Sequence, residues 1–259
     1  MAKYLTLEHL GQSAIITINN PPANAWNITS LRELADLMTT LQADSTVRAV
    51  VITGAGDAFF CAGADLNLFS KGSKQEVADL LDAFAGAFAA LRNYTGVTVA
   101  AINGYALGGG LECALMCDYI VAERGAKLGL PEARVGLLPA AGGSKTLADK
   151  VGLSWAKRML LGGEILTAEK AYDIGLVEEI VDPGFAKIMA VSLAGKVANQ
   201  APQAVARARQ LIESSPCATL EAHLQQERAA LLSLIGEAEQ LEGVSAFLGK
   251  RTPSWADED

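Results

Sequence analysis

A chain of 259 residues, 51% of them hydrophobic, can bury a large core in one domain or in a domain with an appendage. Its formal net charge of −8 argues against non-specific nucleic-acid binding, and no cluster of basic residues offsets it. No apolar run follows a basic start in Met1 to Gly11, and no uninterrupted apolar segment reaches the roughly 18 residues of a membrane span, so neither export nor a membrane partner is expected.

Tyr4 to His9 and Ser13 to Asn19 alternate, the second more clearly, and Gly11-Gln12 between them predicts a hairpin. Asn20-Pro21-Pro22-Ala23-Asn24 has turn chemistry. A helix is expected from Thr29 or Ser30 to about Leu41, with Leu31, Leu34, Leu37, Met38 and Leu41 on one face. Ser30 and Glu33 have the spacing of a capping box. Val47 to Thr53 reads as a strand closed by Gly54-Ala55-Gly56. A dinucleotide fingerprint there would need its third glycine at Phe59, which is too bulky for close strand–helix packing. Phe59 to Leu66 reads as a loop of small and apolar residues, followed by a helix from about Gln75 to Arg92.

The chain is organised around Val97 to Asp118, VTVAAINGYALGGGLECALMCD. Val97 to Ile102 is short, apolar and β-branched, which suits a strand buried on both faces. After Asn103-Gly104 and Gly108-Gly109-Gly110, Leu111 to Cys117 suits a helix with no polar face, hence a buried one. Glu112 is a lone carboxylate in that helix. Burial must raise its pKa or give it a partner. The glycines before it let the backbone approach a ligand and present N–H groups at a helix start. The pattern predicts an oxyanion-binding turn beside an acid/base group; the bland alternative is a glycine loop whose Glu reaches solvent.

Strands are expected at Asp118 to Ala122 and Lys127 to Leu130. Pro131 then places Glu132 at a strand end or helix start, and Ala133 to Ala141 is largely apolar apart from Arg134. Gly142-Gly143-Ser144 opens a helix to about Lys150. Further helices are expected over Ser154–Leu161, Ala168–Ile174, Ala186–Ala198, Ala201–Glu213, Leu220–Leu234 and Glu237–Leu248, with a short strand at Val177–Val181. The tail from Lys250 to Asp259 is expected to fray. The division is therefore an α/β part, 1–185, carrying the site, and a helical part, 186–259, for packing and oligomerisation. Cys61, Cys113, Cys117 and Cys217 sit in apolar company and fit a reducing, cytoplasmic compartment. No metal site is expected, and His9 and His223 lack triad partners.

Four segments carry a resemblance. They are Phe60-Cys61-Ala62-Gly63-Ala64-Asp65-Leu66, Ala101 to Glu112, Pro131-Glu132 with Gly136 and Pro139 to Gly143, and Ala168 to Val177. In this order they resemble the crotonase, or enoyl-CoA hydratase/isomerase, family, and the likeness reaches Ser245-Ala246-Phe247 and Lys250-Arg251. The resemblance implies an α/β spiral of repeated ββα units with a carboxy-terminal helical region, assembled as homotrimers paired into hexamers. It implies an acyl-CoA substrate, a place in fatty acid metabolism, and no separate cofactor, because coenzyme A is part of the substrate.

By the same resemblance, the backbone N–H groups of Ala64 and Gly109 form an oxyanion hole for the thioester oxygen. Glu112 activates water and Glu132 transfers a proton at C2. Ala62, Asp65, Leu66 and Asn67 contact substrate, and Phe247 and Lys250 hold the nucleotide of coenzyme A in a neighbouring subunit. Leu66, Phe69 and the helix after Gly72 wall the acyl pocket. A side chain at Gly109 is expected to intrude on the thioester or distort a glycine-only turn. The chain departs from the family where Pro21 to Asn24 lacks the frequent basic residue, and at Trp26, where an aliphatic residue is usual. The leading activity is hydration of a 2-enoyl-CoA. Its rivals are Δ3,Δ2-enoyl-CoA isomerisation, which needs one base, and a non-catalytic or RNA-binding role, which the acidic charge disfavours.

Overall fold

A computed structural model describes residues 3–70 and 72–256, in two compact units, one running to Ala194 and one from Gly195. In the first, β1 (Leu5–Leu10) and β2 (Ser13–Ile18) form the expected antiparallel hairpin. α1 (Ile28–Ala43) follows, with Leu31, Leu34, Met38 and Leu41 buried on one face. Its cap differs from the expected Ser30–Glu33 pair. Asn27 accepts from the Ser30 N–H, and the Ser30 hydroxyl accepts from the Asn27 N–H. Glu33 instead accepts from the Lys3 and Tyr4 N–H groups, tying down the chain before β1. Asn offers the same short acceptor as Ser, so the cap falls two or three residues earlier.

Then come β3 (Ala49–Gly54), β4 (Phe59–Cys61) and α2 (Lys74–Arg92), and β5 (Val97–Ile102), β6 (Tyr105–Leu107) and α3 (Gly109–Leu115). The third set is β7 (Tyr119–Glu123), β8 (Lys127–Gly129) and α4 (Gly143–Leu161), with Gly152 (φ 77°) breaking α4 between the two helical runs expected from sequence. β9 (Ile165–Thr167), α5 (Ala168–Asp173) and β10 (Glu179–Val181) close the unit, and α6 (Ala186–Ala198) crosses its boundary.

The first strand of each ββα set joins a six-stranded sheet, in the order β1-β2-β3-β5-β7-β10; the second joins a four-stranded sheet, β4-β6-β8-β9. Pairing is parallel except for β1–β2 and β8–β9. This repetition is the ββα spiral that the resemblance implies. β3 and β5 are buried at every residue, as continuous β-branched runs require. The segment expected to be a loop at Phe59 contains β4. Its backbone lies so near its neighbours that a methyl group on Gly104 would sit 2.3 Å from the Ala58 carbonyl oxygen, and one on Gly110 2.1 Å from that of Cys61.

In the second unit, α7 (Pro202–Ser214), α8 (Leu220–Leu234) and α9 (Ala238–Leu248) follow the expected spans, with Pro202 at the first turn of α7. The tail is tied down as far as Ala256. Arg251 forks onto Glu242, which also accepts from the Ser254 N–H, so fraying there is not observed; residues 257–259 lie outside the described residues. Cys61, Cys113 and Cys117 are buried free thiols, whereas Cys217, expected in apolar company, is exposed.

Candidate active site

α3 explains why Glu112 is where it is. All seven residues of the helix are buried, and Glu112 is 3% exposed. The helix starts directly after β6 because Gly108 adopts φ 53°, ψ −130°, a conformation that L side chains disfavour. Glu112 Oε1 accepts two hydrogen bonds of 2.8 Å, from the Ala141 and Gly143 N–H groups. Gly142, at φ 105°, turns the chain between those donors. Burial raises the Glu112 pKa, and the two N–H donors oppose it by favouring the carboxylate.

Glu132 begins a short 3₁₀ turn, Glu132–Val135, set by Pro131 before it and by Gly136 (φ 76°) after it. Its Oε2 is buried with no hydrogen-bond partner among the described residues. Its Oε1 lies 3.0 Å from the place a methyl on Gly108 would occupy. Burial pushes this carboxyl from 4.5 to about 7, and the Glu112 charge adds to the rise against its own backbone N–H. The structure thus brings both predicted acids to one cleft and gives them opposite surroundings: one oxygen doubly donated to, the other undonated.

Ala64 pairs with Trp26 in a parallel bridge: the Trp26 N–H donates to the Gly63 carbonyl, and the Asp65 N–H to that of Trp26. The Ala64 N–H between them, and the Gly109 N–H at the helix start, donate to no acceptor among the described residues. Gly63 (φ 98°) presses the two turns together, since a methyl there would lie 3.2 Å from the Gly109 nitrogen.

A cavity of about 710 Å³ joins these groups. Ala62, Ala64, Gly108, Gly109, Glu112 and Glu132 line it, and Leu66, Phe69, Val77, Leu81, Phe84, Leu137, Leu138 and Ile165 make it largely apolar. Leu66, Phe69 and α2 thus wall the pocket as expected. Asp65 and Asn67 line no part of it. Asp65 accepts from both the backbone and the side-chain nitrogen of Asn67, capping the turn at Leu66–Leu68. Phe247 and Lys250 belong to the second unit and are exposed there, Phe247 at 83%.

Gly109 corrects the expectation of a glycine-only turn. Its φ is not positive, and a methyl on it would meet Phe84 at 3.0 Å and Trp26 at 3.6 Å, so an added side chain strikes the aromatic wall and the backbone is not glycine-only. The member of the triplet with a positive φ is Gly108, and Gly110 has no room for a methyl. Sequence reasoning also missed the donors on Ala141 and Gly143, for which the Gly142-Gly143 doublet was the available signal. Arg134 also lines the cavity, and the sequence showed it only as the polar exception in an apolar segment.

The sequence model of the enoyl-CoA hydratase/isomerase family matches residues 11–258. A 2,3-dehydroadipyl-CoA hydratase of Escherichia coli (strain K12) is 40% identical, over 93% of this chain and 94% of its own length. A short-chain-enoyl-CoA hydratase of Clostridium acetobutylicum is 34% identical, over 95% and 94%. Among solved structures, DspI of Pseudomonas aeruginosa superimposes with a TM-score of 0.94 at 49% identity, covering 97% of this chain and 96% of that one. An enoyl-CoA hydratase of Bacillus anthracis does so with a TM-score of 0.94 at 32% identity, covering 99% and 100%. Among the described residues no helix is long and apolar enough to cross a membrane.

Proposed function

Because this chain belongs to the enoyl-CoA hydratase/isomerase family, we propose that it adds water across the double bond of a 2-enoyl-CoA, giving the 3-hydroxyacyl-CoA, with Glu112 and Glu132 dividing the proton work. The observation that carries the division is the contrast between the two carboxyls. Glu112 is held by two N–H donors, which favour the charged form a base needs. Glu132, pushed to about 7 by burial, keeps its proton where an acid needs it.

In this reading the Ala64 and Gly109 N–H groups receive the thioester oxygen. Fixed main-chain donors there stabilise the negative charge that develops as water adds, one donor contributing about 3 kcal/mol. Glu112 takes a proton from water as its oxygen bonds to C3. The π electrons move toward the thioester, and C2 takes the proton of Glu132. One proton gained by Glu112 and one lost by Glu132 leave the pair to be reset through solvent. Because the two groups interact, they titrate as a pair.

The rival isomerisation needs one base, and Glu132 alone could carry a proton between C2 and C4. The tethering of Glu112 in the same cavity favours hydration. The test is a panel of 2-enoyl-CoA and 3-enoyl-CoA thioesters, following loss of the conjugated double bond and its migration separately. Hydration of the 2-enoyl set is expected; double-bond migration without hydration would replace this reading with the isomerase.

The reading extends to assembly and place. Leu224, Leu231 and Leu241, on α8 and α9, are 52%, 60% and 57% exposed, which suits helices that bury these faces against other copies in a homohexamer. In such an assembly Phe247 and Lys250 serve the coenzyme A of a neighbouring subunit. The free thiols suit a reducing cytoplasm.

A further inference from the structure

The cavity holds a charge that the hydration chemistry does not use. Three ionisable side chains line it among the described residues: Glu112, Glu132 and Arg134. The acids have their roles. Arg134 lies two residues beyond Glu132 on the same 3₁₀ turn. Its Nη2 donates to the Gly163 carbonyl at 2.6 Å, and its Nε would lie 2.8 Å from a methyl on Gly163. That anchor is a neutral backbone oxygen beside β9. Among the described residues no carboxylate pairs with Arg134.

Arginine carries five N–H donors in a fixed fork matched to a carboxylate; Arg134 is exposed, and its bond to the Gly163 carbonyl leaves the other donors to solvent or to a ligand. Hydrocarbon lines the same cavity at Val135, Leu137, Leu138 and Ile165, with Val135 and Leu138 at its open, exposed side. Hydrocarbon walls suit an acyl chain and not the polar nucleotide of coenzyme A. A cation held by a backbone carbonyl on such a wall is positioned to meet an anion at the end of that chain.

We infer that Arg134 is a specificity-determining residue that reads the far end of the acyl group, selecting 2-enoyl-CoA thioesters whose chain ends in a carboxylate over chains of equal length that end in a methyl group. This rests on the hydratase reading for the position of the thioester. It adds no chemical step, because the distal carboxylate binds and does not react.

The test separates binding from turnover. Calorimetry measures the affinity of the full-length protein for adipyl-CoA and hexanoyl-CoA, saturated six-carbon thioesters that differ only in the terminal group. The same is done for Arg134→Leu and Arg134→Lys, with four- and eight-carbon pairs covering other chain lengths. The expected result is a preference for the carboxylate-ended ligand in at least one pair. Arg134→Leu should lower that preference about ten- to hundredfold, the range for a hydrogen bond between charged partners. Arg134→Lys, which keeps the charge but loses the fork, should lower it less. A preference ratio that Arg134→Leu leaves unchanged at every length overturns the inference. So does an equal loss for both members of every pair, which would assign Arg134 to the shared coenzyme A part. Hydration of the matching 2-enoyl-CoA pairs is measured separately. Failure of all of them to turn over would count against the hydratase reading, while the affinity ratios still decide the role of Arg134.

Discussion

Replacing Glu132 by Gln should move activity and stability in opposite directions. The carboxyl rises from 4.5 to about 7 on folding because it is buried, with one oxygen undonated. That rise corresponds to about 3 kcal/mol at about 1.36 kcal/mol per tenfold change in proton affinity, and partial solvent contact of the side chain reduces this to about 2 kcal/mol. The folded pKa lies above the unfolded one. Between them the folded protein therefore binds the extra proton, and stability falls as pH rises from about 4.5 through about 7. Above that window the native state carries the whole penalty of an ionised buried acid. Gln is neutral throughout and nearly the same shape. At pH 8 Glu132→Gln should be more stable than the parent by about 2 kcal/mol, or about 5 °C in Tm for a chain of this size. At pH 4 the two should coincide. Thermal unfolding of both proteins across this range, with turnover measured on the same samples, is the assay. Turnover should fall by about a hundredfold, within the range for an acid/base group. An unfolding difference that does not change with pH would refute the argument that burial sets the protonation of Glu132, whatever happened to the rate.

Other outcomes follow from the same geometry. Glu112→Gln should cut hydration about a hundredfold while saturated acyl-CoA still binds; near-normal turnover would remove Glu112 from the mechanism. The kcat/KM for hydration should decline as pH rises past about 7, where Glu132 loses the proton it delivers, and this decline should vanish in Glu132→Gln. Gly108→Ala places a methyl 3.0 Å from Glu132 Oε1 at φ 53° and should abolish turnover, with circular dichroism showing the folded state retained. Light scattering of dilute protein should give the mass of a hexamer; a monomer would leave Phe247 and Lys250 without a neighbouring site.

Where one sequence pattern has one structural outcome, the reading was sharp. Val97–Ile102 is apolar and β-branched between breakers, and it is a fully buried strand with those bounds. Glu112 stood out because a carboxylate in an all-apolar helix needs an explanation, and its two N–H donors supply one. Of the five three-residue strands, β8 and β10 lie in short apolar runs that read as strands, whereas β4, β6 and β9 sit among small, glycine-flanked or isolated apolar residues where no periodicity registers. They exist through pairing, β4 with β6 and both β6 and β9 with β8, which is tertiary information. The α1 cap lies two or three residues before the expected Thr29 or Ser30 because Asn27, Thr29 and Ser30 are all competent caps, and only the fate of Glu33 decides among them. Within the glycine triplet the sequence identified a tight turn, but which glycine has the unusual φ and which one faces Phe84 depends on the path of the neighbouring Gly63 turn.

The clasp around β4 bears on how variants of this protein are to be interpreted. Gly104 and Gly110 meet main-chain oxygens, which cannot rotate away as side chains can, so even alanine there forces one backbone segment away from the other. Neither residue lines the cavity. In a screen scored by growth or product alone, their loss would be indistinguishable from loss of Glu112, and a ranking by intolerance would nominate them as reactive groups. Only a screen that reports abundance beside product can separate residues that hold the scaffold from those that move protons. In this fold the two kinds stand two positions apart on one helix, at Gly110 and Glu112.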